Sequence, residues 1–222
     1  MDHIAFACAS LDSLLEGGVE TGCVTLVYGE AGTGKTNLCL VLARNVALAG
    51  KKVIYIDTEG VSDRRLEQVC GEELEKVSKA MLFSQVHSFA DQDLMIEKAI
   101  RLAEGNQDIG LIVVDSMTMY YRLQGKEEER LERRVLANES ARLLTFTRKV
   151  GVPVVITSQV YMDIDKGTSE SLGGNVMQHN AKVILKLDRV GVGKRRVTVI
   201  KHRHVAEGRT ADFAIVEGGI SC

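Results

Sequence analysis

The sequence predicts a three-layer α/β domain built on a mainly parallel β-sheet, and two observations carry this prediction. Through the first three quarters of the chain, short β-prone runs alternate with helix-compatible stretches, which is the pattern of βαβ units. One run, residues 111–115, is continuously apolar up to its final Asp115, which is typical of a strand buried on both faces of a parallel sheet. At 222 residues the chain fits one domain, expected to span residues 1–222.

The boundaries of the predicted elements follow from β-branched runs, helical spacing and glycine stops. The predicted parallel strands cover residues 23–28, 51–57, 81–85, 111–115 and 152–158. The predicted helices cover residues 37–48, 62–79 with a break at Gly71, the stretch from Ser88 to Gly105, and 127–149. In the last quarter, residues 182–187, 195–200 and 212–216 predict antiparallel strands appended to the parallel sheet. Residues 161–175, with three glycines and little apolar periodicity, predict a long mobile loop.

Composition excludes several classes of protein. Hydrophobic residues make up 45% and charged residues 26%, and no apolar run reaches membrane-spanning length, so a soluble, cytoplasmic protein without membrane contact is expected. The five cysteines are scattered, odd in number and lack a Cys-x-x-Cys pair, which favours reduced thiols. Because the formal net charge is −2, any binding to nucleic acid must come from local basic patches.

The most informative motif is a phosphate-binding loop. Its glycines let backbone N–H groups approach phosphates, its lysine supplies a cation, and its final threonine offers a hydroxyl to Mg²⁺. The motif lies between a β-prone run and a helix-compatible stretch, which is the required context, and it predicts binding of ATP or a similar nucleotide with Mg²⁺. The residues of the motif are Gly29, Glu30, Ala31, Gly32, Thr33, Gly34, Lys35 and Thr36.

Three further residues lie at or just after the carboxyl ends of predicted strands and are therefore expected at the same sheet edge. Asp115 is a candidate to hold Mg²⁺ with Thr36, and Glu59 is a candidate general base for the attacking water. Gln159 is a candidate sensor of the terminal phosphate. Each also has a plain structural interpretation, because a strand-end aspartate, a polar Thr-Glu-Gly turn and a surface glutamine are all common.

Taken together, these segments resemble the ATPase core of the RecA/RadA recombinases, and the chain is similar in particular to the archaeal RadB paralogues of that family. The order and spacing of the matching segments run through nearly the whole chain. They are residues 10–18 (SLDSLLEGG), 29–36 (GEAGTGKT), 55–60 (YIDTEG), 113–116 (VVDS) and 157–160 (TSQV).

The resemblance implies a RecA-like fold, ATP with Mg²⁺ as ligands, and partners among single-stranded or branched DNA and recombination proteins. It implies a water-activating role for Glu59, a metal-side role for Asp115 and a switch role for Gln159. It also implies that this core stands without the amino-terminal helical DNA-binding domain of the RadA group. The DNA-facing loops would be residues 120–128 and 161–175.

The two implied DNA-facing loops carry few cations, which are Arg122, Lys126 and Lys166. This weakens the expectation of firm DNA contact, since phosphate neutralisation supplies much of such affinity. The tyrosines of these loops are candidates for base stacking or for packing on the domain.

Residues 181–209 are strongly basic, for which a solvated sheet face is the plain interpretation. Lys194, Arg195 and Arg196 at a predicted hairpin tip are candidate DNA contacts. Lys201 and Arg203 stand where related ring-forming ATPases reach a neighbouring subunit, which makes them candidates for a trans-acting role in a homo-oligomer.

Residues 6–9 (FACA) match the Phe-x-x-Ala signature by which recombinases form filaments. The match directly precedes residues 10–18, whereas the family places the signature well upstream. We therefore expect Phe6 to belong to the edge of the core, and we do not expect filament formation.

These observations favour an ATP-binding accessory protein of DNA repair and recombination that associates with DNA and has weak ATPase activity. The alternative is a signalling ATPase resembling the KaiC domains, which would act through nucleotide-dependent oligomers without DNA. A small-molecule phosphotransferase fits less well, because no arginine-rich lid is apparent and Glu59 would have no role.

Overall fold

The computed structural model describes residues 3–123, 129–163, 168–172 and 174–222. Its strands are His3–Ile4 (β1), Val19–Glu20 (β2), Val24–Gly29 (β3), Lys52–Asp57 (β4), Met81–Gln85 (β5), Ile109–Asp115 (β6), Val154–Ser158 (β7), Val160–Asp163 (β8), Thr168–Ser171 (β9), Val183–Arg189 (β10), Lys194–Lys201 (β11), Thr210–Val216 (β12) and Gly219–Ser221 (β13). Its helices are Ala9–Leu14 (α1), Lys35–Leu48 (α2), Asp63–Cys70 (α3), Leu74–Ala80 (α4), Phe89–Glu104 (α5), Glu129–Val150 (α6) and Gly174–Asn180 (α7), with 3-10 turns at Gly71–Glu73 and Tyr120–Leu123.

The main sheet has nine strands in the order β13-β12-β11-β10-β3-β7-β6-β4-β5. Strands β10, β3, β7, β6, β4 and β5 pair in parallel, and β11, β12 and β13 extend the sheet antiparallel. The prediction of a mainly parallel sheet with antiparallel carboxyl-terminal strands is confirmed. One detail was wrong: residues 182–187 fall largely in β10, which is parallel to β3 and belongs to the parallel part of the sheet.

Helices cover both faces of the sheet, because alternate strand residues point to opposite sides. In β4, Val53 and Tyr55 pack in the core beneath α2, whereas Ile54 and Ile56 pack in the core beneath α5 and α6. The predicted three-layer architecture follows directly from this alternation. In the described part of the chain, no helix is both long and apolar enough to cross a membrane.

The amino-terminal segment packs against the carboxyl-terminal end of the chain. Phe6 is buried in the core, as expected from its place beside α1, and Ser10 Oγ donates to the carbonyl of Asp212 in β12 at 2.8 Å. Cys8 and Cys222 form a disulfide, with their Cα atoms 5.5 Å apart. The prediction of reduced thiols is therefore wrong for this pair, which is far apart in sequence but joined by the fold, while the other three cysteines are free and buried.

The segment predicted as a long loop, residues 161–175, contains regular structure. Strands β8 and β9 pair antiparallel from Val160↔Ser171 to Asp163↔Thr168, and α7 begins at Gly174. The prediction of irregular structure is wrong for these described residues, since a short two-stranded ribbon needs little apolar periodicity.

Candidate nucleotide-binding site

The carboxyl ends of four parallel strands bring the predicted site residues to one edge of the sheet. Strand β3 ends at Gly29, β4 at Asp57, β6 at Asp115 and β7 at Ser158. This edge of an open α/β sheet is where ligands bind.

The phosphate loop connects β3 to α2 in a tight turn that requires glycine. Gly32 and Gly34 have φ angles of 72° and 103°, in the left-handed region that favours glycine. A Cβ atom at Gly29 would lie 2.4 Å from the carbonyl oxygen of Leu187. The motif therefore satisfies two demands at once, since its glycines permit both the turn and close packing against β10.

Lys35 is the first residue of α2 and is almost fully buried. Its Nζ donates to the carbonyls of Gly29 at 2.8 Å and Glu30 at 3.0 Å, so the ammonium lies within the curve of the loop. A cation held there, at the amino-terminal end of a 14-residue helix, makes the loop a suitable site for phosphate groups.

Asp115 lies beneath the loop as a buried carboxylate with several hydroxyl partners. Thr157 Oγ1 donates to its Oδ1 at 2.5 Å, and Tyr55 donates to its Oδ2 at 2.9 Å. Burial raises the pKa of the Asp115 carboxyl above its ordinary value, while hydrogen bonds from Thr157, Thr36 and Tyr55 oppose that rise. The paired Thr36 hydroxyl and Asp115 carboxylate are the hard oxygen ligands that Mg²⁺ prefers, so the residues present fit that ion.

Glu59 and Gln159 meet across the site. Glu59 Oε1 accepts hydrogen bonds from Gln159 Nε2 and from Ser116 Oγ, each at 2.9 Å. The side chain of Glu59 is exposed at the site's mouth, where water has access. The structure thus joins two residues that lie one hundred positions apart, as expected from their places after β4 and β7.

Asp57 organises the turn that carries Glu59, a role that the sequence did not reveal. The Asp57 carboxylate is buried and accepts from the backbone N–H groups of Glu59, Gly60 and Val61 at 3.2, 2.9 and 2.7 Å. Its position directly before the Thr-Glu-Gly segment is the signal that could have identified it, because Asp side chains commonly bond to backbone groups two to four residues ahead.

Gln159 is also connected to the ribbon that follows it. Its carbonyl accepts from the N–H of Leu172 at 2.7 Å, and Ser158 Oγ donates to the carbonyl of Leu172 at 3.0 Å. Leu172 directly follows β9, so both strands of the β8–β9 ribbon are joined to Gln159, the residue that contacts Glu59.

The two loops carry the candidate DNA-contacting cations and tyrosines. Lys126, Lys166 and the side chain of Arg122 lie outside what the structure describes. Tyr120 and Tyr121 pack against the core, and the Tyr120 hydroxyl donates to the carbonyl of Val86.

The basic residues of the last quarter have many internal partners. Arg196 forms a two-pronged ion pair with Asp212 at 2.7 and 2.9 Å, and Arg203 pairs with Glu20 at 3.0 Å. Lys201 Nζ donates to the carbonyls of Gln178 and Ala181 at the end of α7, at 3.0 and 2.8 Å. Lys194 is exposed at the start of β11. The DNA and trans-acting roles of these residues stay predictions.

Arg189 and Arg195 form a second group, which the sequence did not distinguish from the basic patch. Arg189 Nη2 donates to the carbonyl of Ala31 at 2.6 Å, and Arg195 Nη2 donates to the carbonyl of Gly32 at 3.0 Å. Both guanidinium groups therefore contact the phosphate loop of their own chain.

Taken together, the sheet order, the loop after β3 and the polar residues after β4, β6 and β7 define a RecA-like member of the phosphate-loop proteins. A protein-family model described as Rad51 matches residues 2–222, in agreement with this class.

Relatives support a narrower assignment. The chain is 40% identical over 221 residues to the DNA repair and recombination protein RadB of Methanococcoides burtonii, covering 99% of this chain and 97% of that protein. It is 41% identical over 213 residues to the protein of the same name from Archaeoglobus fulgidus, covering 95% and 94%. A crystal structure of the RadB recombinase superimposes with a TM-score of 0.83 at 32% identity, covering 98% of each chain. The chain belongs to the RadB group of the Rad51 family.

Proposed function

We propose that this protein binds ATP with Mg²⁺, hydrolyses it slowly, and acts as a DNA-associated accessory factor in DNA repair and homologous recombination. The observation that carries the proposal is the hydrogen bond between Glu59 and Gln159, at the sheet edge from which the phosphate loop also extends. The recombination role is supported by relatives that are named DNA repair and recombination proteins.

Each residue of the site has a distinct role in the proposed reaction. Backbone N–H groups of the loop and the Lys35 ammonium bind the phosphates, and Thr36 with Asp115 holds the metal side of the site. Mg²⁺, when bound, neutralises charge on the phosphate oxygens. Glu59 orients the attacking water and accepts its proton, for which its exposed carboxylate is well placed. Ser116 and Gln159 hold that carboxylate in position through its Oε1.

Gln159 gives the site a means of signalling. A phosphate that competes for the Gln159 amide would weaken its bond to Glu59, and Gln159 is tied through its carbonyl to Leu172 after the β8–β9 ribbon. ATP occupancy would in this way alter the segment that the family resemblance assigns to DNA contact.

Nucleotide binding is tested by titrating a fluorescent ATP analogue into the wild-type protein and into Lys35→Ala, with Lys79→Ala as the control. Lys79 is exposed and pairs with Glu75 on α4, away from the loop. We expect Lys35→Ala alone to lose most of the affinity. Equal affinities in all three proteins would contradict the assignment of the phosphate loop.

DNA association is tested by measuring single-stranded DNA binding across salt concentration. A protein that neutralises backbone phosphates binds more weakly as salt rises. We expect such a decline here. No detectable binding at low salt would reject the DNA role and favour the signalling ATPase instead.

A further inference from the structure

Two arginines brace the phosphate loop from the side of the β10–β11 hairpin. The loop contains a turn in which the N–H and the Oγ1 of Thr33 both donate to the carbonyl of Glu30, at 3.3 and 2.8 Å. The two residues at the centre of that turn are Ala31 and Gly32, and their carbonyls accept from Arg189 and Arg195. Each central carbonyl of the turn is therefore held by one guanidinium group.

The hairpin that carries these arginines is itself firmly placed. Strand β10 pairs with β3 as far as Leu187↔Gly29, so Arg189 emerges directly beside the loop. Arg189 and Arg195 face each other in the β10–β11 register, and the N–H of Ile215 in β12 donates to the carbonyl of Gly193 at the hairpin tip. The arginines thus extend from neighbouring strands of the main sheet.

The local packing shows that these contacts are close. A Cβ atom at Gly32 would lie 2.3 Å from Arg189 Nη2, so the guanidinium group packs directly against the backbone of the loop. Arg195 is half-buried, and its buried Nε makes no hydrogen bond within the described part of the chain. Leaving a buried donor unpaired costs free energy, which the contact of Arg195 with the loop must help to offset.

The chemistry of the contact suggests its purpose. In a trans peptide the C=O and N–H groups point in opposite directions, so a donor that fixes the Ala31 carbonyl also fixes the N–H of Gly32. A loop with its peptide planes already fixed loses less conformational entropy when it binds phosphate.

We propose that Arg189 and Arg195 are positioning residues that hold the phosphate loop in its binding conformation, so that the β10–β11 hairpin sets the protein's affinity for nucleoside triphosphate. The proposal rests on the proposed nucleotide binding. It assigns the two arginines to the chain's own site, in contrast to the trans-acting role predicted for Lys201 and Arg203.

The test compares Kd values for a mant-labelled ATP analogue. The mant label absorbs at longer wavelengths than aromatic side chains, so it can be excited directly without interference from the protein. The variants are Arg189→Ala, Arg195→Ala, the double alanine variant and the double lysine variant. The control is Arg101→Ala, because Arg101 lies on α5 and pairs only with Glu97 one helical turn away among the described residues.

We expect each single alanine variant to bind about fivefold more weakly and the double variant about twentyfold, because hydrogen bonds from charged donors are strong but these are partly exposed. The double lysine variant should stay within about threefold of wild type, since an ammonium can reach a carbonyl, and Arg101→Ala should match wild type.

Melting temperatures of the nucleotide-free proteins separate positioning from general stability. If both double variants have the melting temperature of wild type and also bind the analogue with the wild-type Kd, the positioning role is wrong. If the double alanine variant does not fold, the double lysine and single variants still decide, and wild-type affinity in both single alanine variants overturns the proposal. A wild-type protein that binds no nucleotide would instead reject the proposed function.

Discussion

Replacing Glu59 with glutamine separates proton transfer from the other roles of this residue. In the structure, Glu59 Oε1 accepts hydrogen bonds from Gln159 Nε2 and Ser116 Oγ, both at 2.9 Å. A glutamine carbonyl has the same shape and can accept both bonds. What the substitution removes is the carboxylate that takes a proton from the attacking water.

The expected decrease in the ATP turnover rate follows from the loss of the general base alone. General-base catalysis contributes about 10²–10⁴-fold to rate, or roughly 3–5 kcal/mol of the activation barrier. We therefore expect Glu59→Gln to lower the ATP turnover rate by at least about 100-fold. Because the side chain is exposed and its hydrogen bonds are retained, the free energy of unfolding should change by less than about 0.5 kcal/mol.

The assay is phosphate release in a single turnover, with the Kd for a nucleotide analogue measured on the same preparations. Glu72→Gln serves as the control, because Glu72 is an exposed carboxylate in the 3-10 turn Gly71–Glu73, away from the phosphate loop. The analogue should bind all three proteins equally. Full ATPase activity in Glu59→Gln would refute the assignment of Glu59 as the base.

Three further predictions address the metal side, the subunit contact and the core. Asp115→Asn should raise the Mg²⁺ concentration for half-maximal turnover by about tenfold or more, measured by magnesium titration, since an amide is a weaker ligand; an unchanged requirement would contradict the metal role. Arg203→Ala should lower turnover per subunit most at high protein concentration, and unchanged rates at every concentration would remove its trans role. Burial is the main cause that raises the pKa of Glu139 from 4.5 to about 8, so its neutral form favours folding at low pH. Between pH 4.5 and 8 the glutamate is ionised in the unfolded state but neutral in the folded state. The free energy of unfolding of wild type, relative to that of Glu139→Gln, therefore falls by about 1.4 kcal/mol for each unit that the pH rises. Denaturant unfolding at several pH values measures this slope, and parallel curves for the two proteins would contradict it.

Much of the fold was predictable because its signals are local. The run at residues 111–115 lies within β6 because an unbroken apolar sequence suits burial on both faces, and Ser88 caps α5 through a hydrogen bond from the N–H of Asp91. Parallel strands then place their carboxyl ends together, which is why Glu59, Asp115 and Gln159 were expected at one edge.

The other features of the fold and site depend on contacts that a local sequence pattern does not indicate. The β8–β9 ribbon is too short and polar to show a periodicity, and the Cys8–Cys222 pair joins positions 214 residues apart. The basic patch likewise gave no means of separating Arg196, which pairs with Asp212, from Arg195, which contacts the phosphate loop. The register of β11 with β12 places Arg196 opposite Asp212, and the register of β10 with β11 places Arg195 beside Arg189 at the phosphate loop.

The most direct test concerns the coupling between phosphate and DNA through Gln159. We would measure single-stranded DNA affinity with an ATP analogue and with ADP, in wild type and in Gln159→Ala, at one fixed salt concentration. We expect wild type to bind DNA more tightly with the ATP analogue than with ADP, and Gln159→Ala to bind DNA equally with both nucleotides. A wild-type preference that survives unchanged in Gln159→Ala would contradict it.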